Sequence, residues 1–195
     1  MFGIRALVLA AAASLLFGCS GGKNGDNEGR ETAMGAEAKA MVVYFSATGN
    51  TREVARRLSS AIGADIYEIR PEKAYTPADL DWHDKNSRSS VEMADASSRP
   101  AMEGGIPDLS GYDTVYVGFP IWWGREPSIV DTFVESAAGS LSGKRLVPFA
   151  TSGGSGMGGS AKNLQKLAPE AKVLEGRRFR TSVSEDELAR WAGEL

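Results

Sequence analysis

Among its 195 residues the sequence holds one cysteine, Cys19, and one histidine, His83. A lone cysteine near the N-terminus leaves the rest of the chain without a disulfide, a thiol nucleophile or a cysteine metal site. A lone histidine in a polar stretch reads as a surface imidazole rather than a general base. No catalytic triad, paired-carboxylate or metal-ligand spacing stands out, and there are no internal repeats or heptads. An excess of basic charge is also missing: 22 Lys and Arg stand against 25 Asp and Glu, a net charge of −3. That balance argues against a nucleic-acid partner and supplies no basic patch for a membrane surface. A long apolar run is absent too. The longest, residues 6–17, is shorter than a spanning helix requires. What remains is 42% hydrophobic, enough for one ordinary globular domain.

The N-terminus stands apart from that domain. Arg5 is a short positive region, and residues 6–17 form an apolar stretch of signal-peptide length. The run closes on Leu16-Phe17-Gly18-Cys19, which resembles a bacterial lipoprotein cleavage box. The expectation is a signal peptide over 1–18 and lipidation of Cys19. The alternatives are an uncleaved anchor or a plain secretory signal. Residues 19–38, rich in Gly, Asn, Glu, Lys and Ala without apolar periodicity, read as a flexible tether. Twenty such residues span about 25 Å root-mean-square. Lipidation would place the chain in the bacterial cell envelope, anchored to a membrane, with its domain outside the cytoplasm. With one arginine rather than a twin pair, the chain would be exported unfolded and acquire any cofactor there.

Three loops carry the chemistry. The first is Ser46-Ala47-Thr48-Gly49-Asn50-Thr51, between the apolar run Met41-Val42-Val43-Tyr44-Phe45 and an amphipathic helix. A strand, a tight polar loop and a helix N-terminus suit a phosphate, because free N–H groups converge there and the helix dipole favours negative charge. The loop has no Lys or Arg, so it is not the nucleotide P-loop. It suits one phosphate monoester held by neutral donors, although Ser, Thr and Asn also serve as plain helix caps. The second loop, Pro120-Ile121-Trp122-Trp123-Gly124, follows a β-branched and aromatic run over 114–119. Its two indoles offer flat faces and N–H donors, or else belong to the core. The third, Thr151-Ser152-Gly153-Gly154-Ser155-Gly156, follows the run over 146–150. With so little side chain, its backbone can approach a flat ligand closely; the bland reading is a simple connector.

These three segments together resemble the flavodoxin-like FMN-binding proteins, over about residues 40–195. The resemblance implies an α/β three-layer sandwich with a five-stranded parallel sheet of order 2-1-3-4-5, in which the three loops meet at the carboxyl ends of the strands. It further implies that Ser46, Ala47, Thr48, Gly49, Asn50 and Thr51 bind the phosphate of FMN. Pro120, Ile121, Trp122, Trp123 and Gly124, with Thr151, Ser152, Gly153, Gly154, Ser155 and Gly156, would hold the isoalloxazine. No sequence for covalent flavin attachment is present, so the FMN would be non-covalent. The Trp pair and the N–H groups of Gly153 and Gly154 would pull its potential in opposite directions.

One departure matters. Ordinary flavodoxins usually carry an acidic residue and an aromatic in the third loop, whereas here the loop, which runs on through Met157 to Gly159, holds only Gly and Ser besides Thr151 and Met157. One face of the flavin is therefore expected to lie open, which favours an oxidoreductase passing electrons from a reduced donor to a quinone-like or protein acceptor. A pure electron shuttle, or an envelope lipoprotein binding another phosphorylated ligand or a protein partner, are the alternatives. No residue is required as acid or base, so none is named as catalytic.

Strands are expected over 39–45, 65–69, 114–119, 145–150 and 172–174, with Pro148 in conflict because it lacks a ladder donor. Helices are expected over 50–62, from near Pro127, over 160–167, and from Ser184, where Glu187 completes a capping box. Residues 71–107 read as a helix plus a surface loop, or alternatively as a lid over the rim.

Overall fold

The computed structural model describes residues 39–195; the expected signal peptide, Cys19 and the tether lie outside the described residues. Alternating apolar runs and amphipathic segments fold into β1 (Ala40–Tyr44), α1 (Asn50–Ile62), β2 (Asp65–Glu68), α2 (Arg88–Ala94), β3 (Thr114–Pro120) and α3 (Ser128–Ser136). They continue through α4 (Ala138–Leu141), β4 (Arg145–Thr151), α5 (Ser160–Leu167), β5 (Lys172–Val173), β6 (Arg177–Phe179) and α6 (Glu185–Gly193).

The sheet order is β2-β1-β3-β4-β5, with β6 also paired to β4. Every pairing within it is parallel. Parallel strands need crossover helices, so both faces are covered and the central strands β1, β3 and β4 are almost wholly buried. Alternation along β1 divides the core. Met41, Val43 and Phe45 face Ile129, Val130, Phe133 and Leu164 of α3 and α5. Val42 and Tyr44 face Val54, Leu58, Leu188 and Trp191 of α1 and α6. Gly118 in β3 makes room for an aromatic neighbour. A Cβ there would lie 2.2 Å from the Phe149 ring.

The α1 and α5 spans match expectation, and Ser184 caps α6 by accepting from the Glu187 N–H at 3.2 Å. Pro127 sits just before α3, as the N-cap rather than in its first turn. The edge strand differs most. It is split into β5 and β6, and the split explains Pro148. Leu174 N–H donates to the Leu146 carbonyl at 3.0 Å, so the even-numbered groups of β4 face the edge. Pro148 therefore turns its donorless nitrogen toward the break. There Gly176 takes a left-handed φ of 74°, and a Cβ on it would come within 2.1 Å of the Pro148 carbonyl oxygen.

Residues 71–107 are tied down rather than loose. Tyr75 donates to Glu92, Arg88 lies 4.1 Å over the Tyr75 ring, and Arg88 Nε reaches Glu92 at 2.6 Å. Ser128 and Thr132 of α3 donate to the carbonyls of Glu92 and Pro100 at 3.0 and 3.1 Å.

Candidate functional site

A cleft opens at the carboxyl ends of β1, β3 and β4, where the three loops converge. Its two lobes share Thr48, Pro120, Ile121, Trp122, Ser152 and Gly153. One lobe, of about 460 Å³, adds Asn50, Thr151, Arg180, Thr181 and Ser182. The other, of about 720 Å³, adds Ala47, Trp123, Gly154 and Ser155, together with Leu80, Trp82 and Ser89 from the β2–β3 connection. Both fall in the size range of small-molecule sites.

The first loop wraps the start of α1. Gly49 holds φ 92° and, as N-cap, offers no side-chain hydrogen bond to the helix. The N–H groups of Asn50, Thr51 and Arg52 therefore lack intrahelical partners. The N-termini of α2 and α6, by contrast, are closed by Ser87 and Ser184. Ser46 accepts from the Gly49 N–H at 3.1 Å and fixes the turn. Ser46 and Ala47 also border a separate 380 Å³ cavity beside Arg52 and Tyr75. Thr51 is 1% exposed, and its hydroxyl is hydrogen-bonded to that of Thr151 at 2.8 Å. That bond staples the first loop to the third.

The second loop is a two-residue turn. Trp122 and Arg125 exchange N–H···O bonds of 2.9 and 3.1 Å, and Trp123 and Gly124 between them hold φ 47° and 81°. Two positive φ values in succession define a type I′ turn, a costly conformation for tryptophan. The strain separates the indoles. Trp122 packs edge-on against Phe45 and Tyr75 at 5.7 and 5.4 Å. Trp123 is 52% exposed, on the wall of the larger lobe. Gly124 lies off the cleft; its carbonyl accepts from the Gly159 N–H at 3.1 Å.

In the third loop Ser152 accepts from the N–H groups of Gly154 and Ser155 at 3.2 and 2.8 Å. The Gly154 donor is thus used within the loop. Gly156 and Gly49 do not line the cleft.

Below the Trp turn lies a buried polar cluster. Arg125 pairs with Asp131 at 2.7 Å, and Asn163 donates to both Glu126 and Asp131. Glu126 is fully buried, and its Oε2 has no hydrogen-bond partner. Burial, and then the charge of Glu126, pushes the Asp131 carboxyl up to about 7 against the pull of Arg125.

Six lining residues from two segments were not among the expected site residues. Arg180, Thr181 and Ser182 escape notice because β6 is too short to announce the loop that follows it. Leu80, Trp82 and Ser89 line the larger lobe, brought to the rim by the tertiary ties of residues 71–107. Among the described residues no cluster of metal-ligating side chains occurs, and no helix is long and apolar enough to cross a membrane.

The doubly wound sheet, its strand order and the rim-sited cleft define a flavodoxin-like protein. The flavodoxin family model matches residues 39–195, and the chain belongs to that family. It is 46% identical to a provisionally assigned flavoprotein from Bacteroides eggerthii DSM 20697; the match covers 81% of this chain and 98% of that one, with a TM-score of 0.76. A second provisionally assigned flavoprotein, from Bacteroides uniformis ATCC 8492, is 47% identical over 80% of this chain and 98% of its own, with a TM-score of 0.75. A flavoprotein from Lactobacillus acidophilus NCFM, solved in complex with FMN, shares the fold at 19% identity, covering 80% of this chain and 99% of that one, with a TM-score of 0.61. No curated protein matches the chain.

Proposed function

We propose that the chain binds FMN non-covalently at this rim and acts as an oxidoreductase, passing electrons from a reduced donor to a quinone-like or protein acceptor. The observation that carries this reading is the meeting of an uncapped helix N-terminus with a tryptophan-lined lobe in one cleft. The residues fit the group. The N–H groups of Asn50, Thr51 and Arg52 and the Thr48 hydroxyl suit the phosphate. Trp122, Trp123 and the backbone of residues 152–155 suit the ring. FMN, when bound, supplies one- and two-electron transfer; the protein supplies position and electrostatics. The Thr51–Thr151 bond holds the phosphate loop and the ring loop in register. The Trp122 turn excludes water from one side.

The visible spectrum of the purified protein after incubation with FMN tests binding. A flavin absorbance that stays with the protein through desalting supports the reading; a colourless protein that takes up none contradicts it. Turnover of a quinone in the presence of a nicotinamide donor separates the oxidoreductase from a shuttle that exchanges only with proteins.

The lipid anchor at Cys19 and the envelope location rest on the sequence alone. Metabolic labelling with palmitate reads them out. Incorporation that is lost in Cys19→Ala supports the anchor, and an unlabelled native chain removes it.

A further inference from the structure

We propose that Trp82, carried by the β2–β3 connection, is a ring-facing wall of the flavin site and takes the place of the aromatic that the third loop lacks. The inference rests on the FMN reading and names a binding residue within it. Trp82 is 67% exposed, the most exposed of the large hydrophobic side chains among the described residues. Among the described residues its one aromatic neighbour is the adjacent His83, at 3.5 Å between ring centroids. So large an apolar face costs free energy in water unless something covers it. It lies on the wall of the 720 Å³ lobe, in the company of Leu80 and Trp123, and no charged side chain lines that lobe. A neutral planar ligand suits such a wall; an anion does not.

A second observation points the same way. Ser89 lines the same lobe and is 1% exposed, yet its hydroxyl has no hydrogen-bond partner. Buried hydroxyls are ordinarily satisfied, and a polar edge on a planar heterocycle would complete this one. The isoalloxazine ring combines a flat apolar body with such an edge.

The wall is preorganised. Ser89 N–H donates to the Asp79 carbonyl at 3.0 Å. Thr76 N–H and hydroxyl both donate to the Asp79 carboxylate at 2.8 Å, and His83 N–H donates to Asp81 at 3.0 Å. Tyr75, just before this run of turns, packs edge-on against Trp122 at 5.4 Å. The connection and the Trp122 loop therefore hold a fixed spacing, and Trp82 is presented rather than left to search. Little ordering entropy remains to be lost when a ring arrives.

The experiment is an FMN titration of the native protein, Trp82→Phe, Trp82→Ala and Ser89→Ala, read by flavin fluorescence, with a thermal melt of each variant without FMN. Native protein is expected to bind FMN and quench its emission. Trp82→Ala should weaken affinity about tenfold, on the scale of one aromatic contact, and restore part of the emission. Trp82→Phe should fall between the two. Ser89→Ala should melt no lower than native protein, since its hydroxyl satisfies nothing in the fold, and yet bind FMN less tightly. If Trp82→Ala keeps the native melt, and binds and quenches FMN within about twofold of native protein, Trp82 faces no ring and the proposal is overturned. If native protein itself takes up no FMN, the broader reading fails first, and the absence of any titration in all four proteins identifies that failure.

Discussion

Thr51 and Thr151 lie 100 positions apart in sequence and share one buried hydrogen bond of 2.8 Å. Thr51→Val keeps the shape, removes the bond and leaves the Thr151 hydroxyl unpaired. That costs about 1–3 kcal/mol, visible in a denaturant midpoint; an unchanged midpoint would show the bond to be dispensable. Asp131 imposes a pH dependence. The folded protein holds the Asp131 carboxyl up to about 7, from an ordinary value of 3.8. Between those values the folded state binds more protons than the unfolded state, so stability from this site is full below the lower value and is lost as pH rises to the upper one. Glu126→Gln removes the neighbouring charge and lowers the Asp131 pKa. The fall in melting temperature between pH 5 and pH 8 should shrink relative to native protein, by roughly 2–4 °C for each kcal/mol of coupling removed. Parallel melting curves for the two proteins would contradict the coupling.

At the scale of elements, the split edge strand turns on two residues. Gly176 adopts a left-handed φ of 74°, and a Cβ there would press on the Pro148 carbonyl. Gly176→Ala should cost about 2 kcal/mol or more, lowering the denaturant midpoint, whereas Gly105→Ala, with open space around it, should cost far less. The same region marks where sequence reading stops. The limits of α1 and α5 were legible because an amphipathic repeat and local glycines fix them within one segment. The strands of the sheet centre were legible from apolar runs, to within a residue or two. β6 was not, because Arg177-Arg178-Phe179 has no pattern of its own and becomes a strand only through pairing with β4. The ordering of residues 71–107 was hidden for a similar reason. It depends on Tyr75, Arg88 and Glu92 meeting one another and on the Glu92 and Pro100 carbonyls meeting α3, and no local periodicity reports such contacts.

Across the whole molecule, the chemistry concentrates where the sheet ends. Three loops that are far apart in sequence become one cleft only because the strand order 2-1-3-4-5 sets β1, β3 and β4 side by side. Their residue types pointed to the site; the order that joins them came with the family resemblance. Hidden from sequence were the division of labour between Trp122 and Trp123, set by a strained turn, and the arrival of Arg180 and Trp82 from two other connections. The first of these sets a cation on the wall of the lobe beside the α1 N-terminus, where the phosphate loop itself carries neutral donors. The second lines the larger lobe, which no charged side chain borders.

A crystal structure of the protein grown with FMN is the most direct measurement. The phosphate is expected against the N–H groups that open α1, with the ring between the Trp122 turn and residues 152–155. FMN density elsewhere on the molecule, or a cleft that stays closed by the protein's own side chains at saturating FMN, would contradict it.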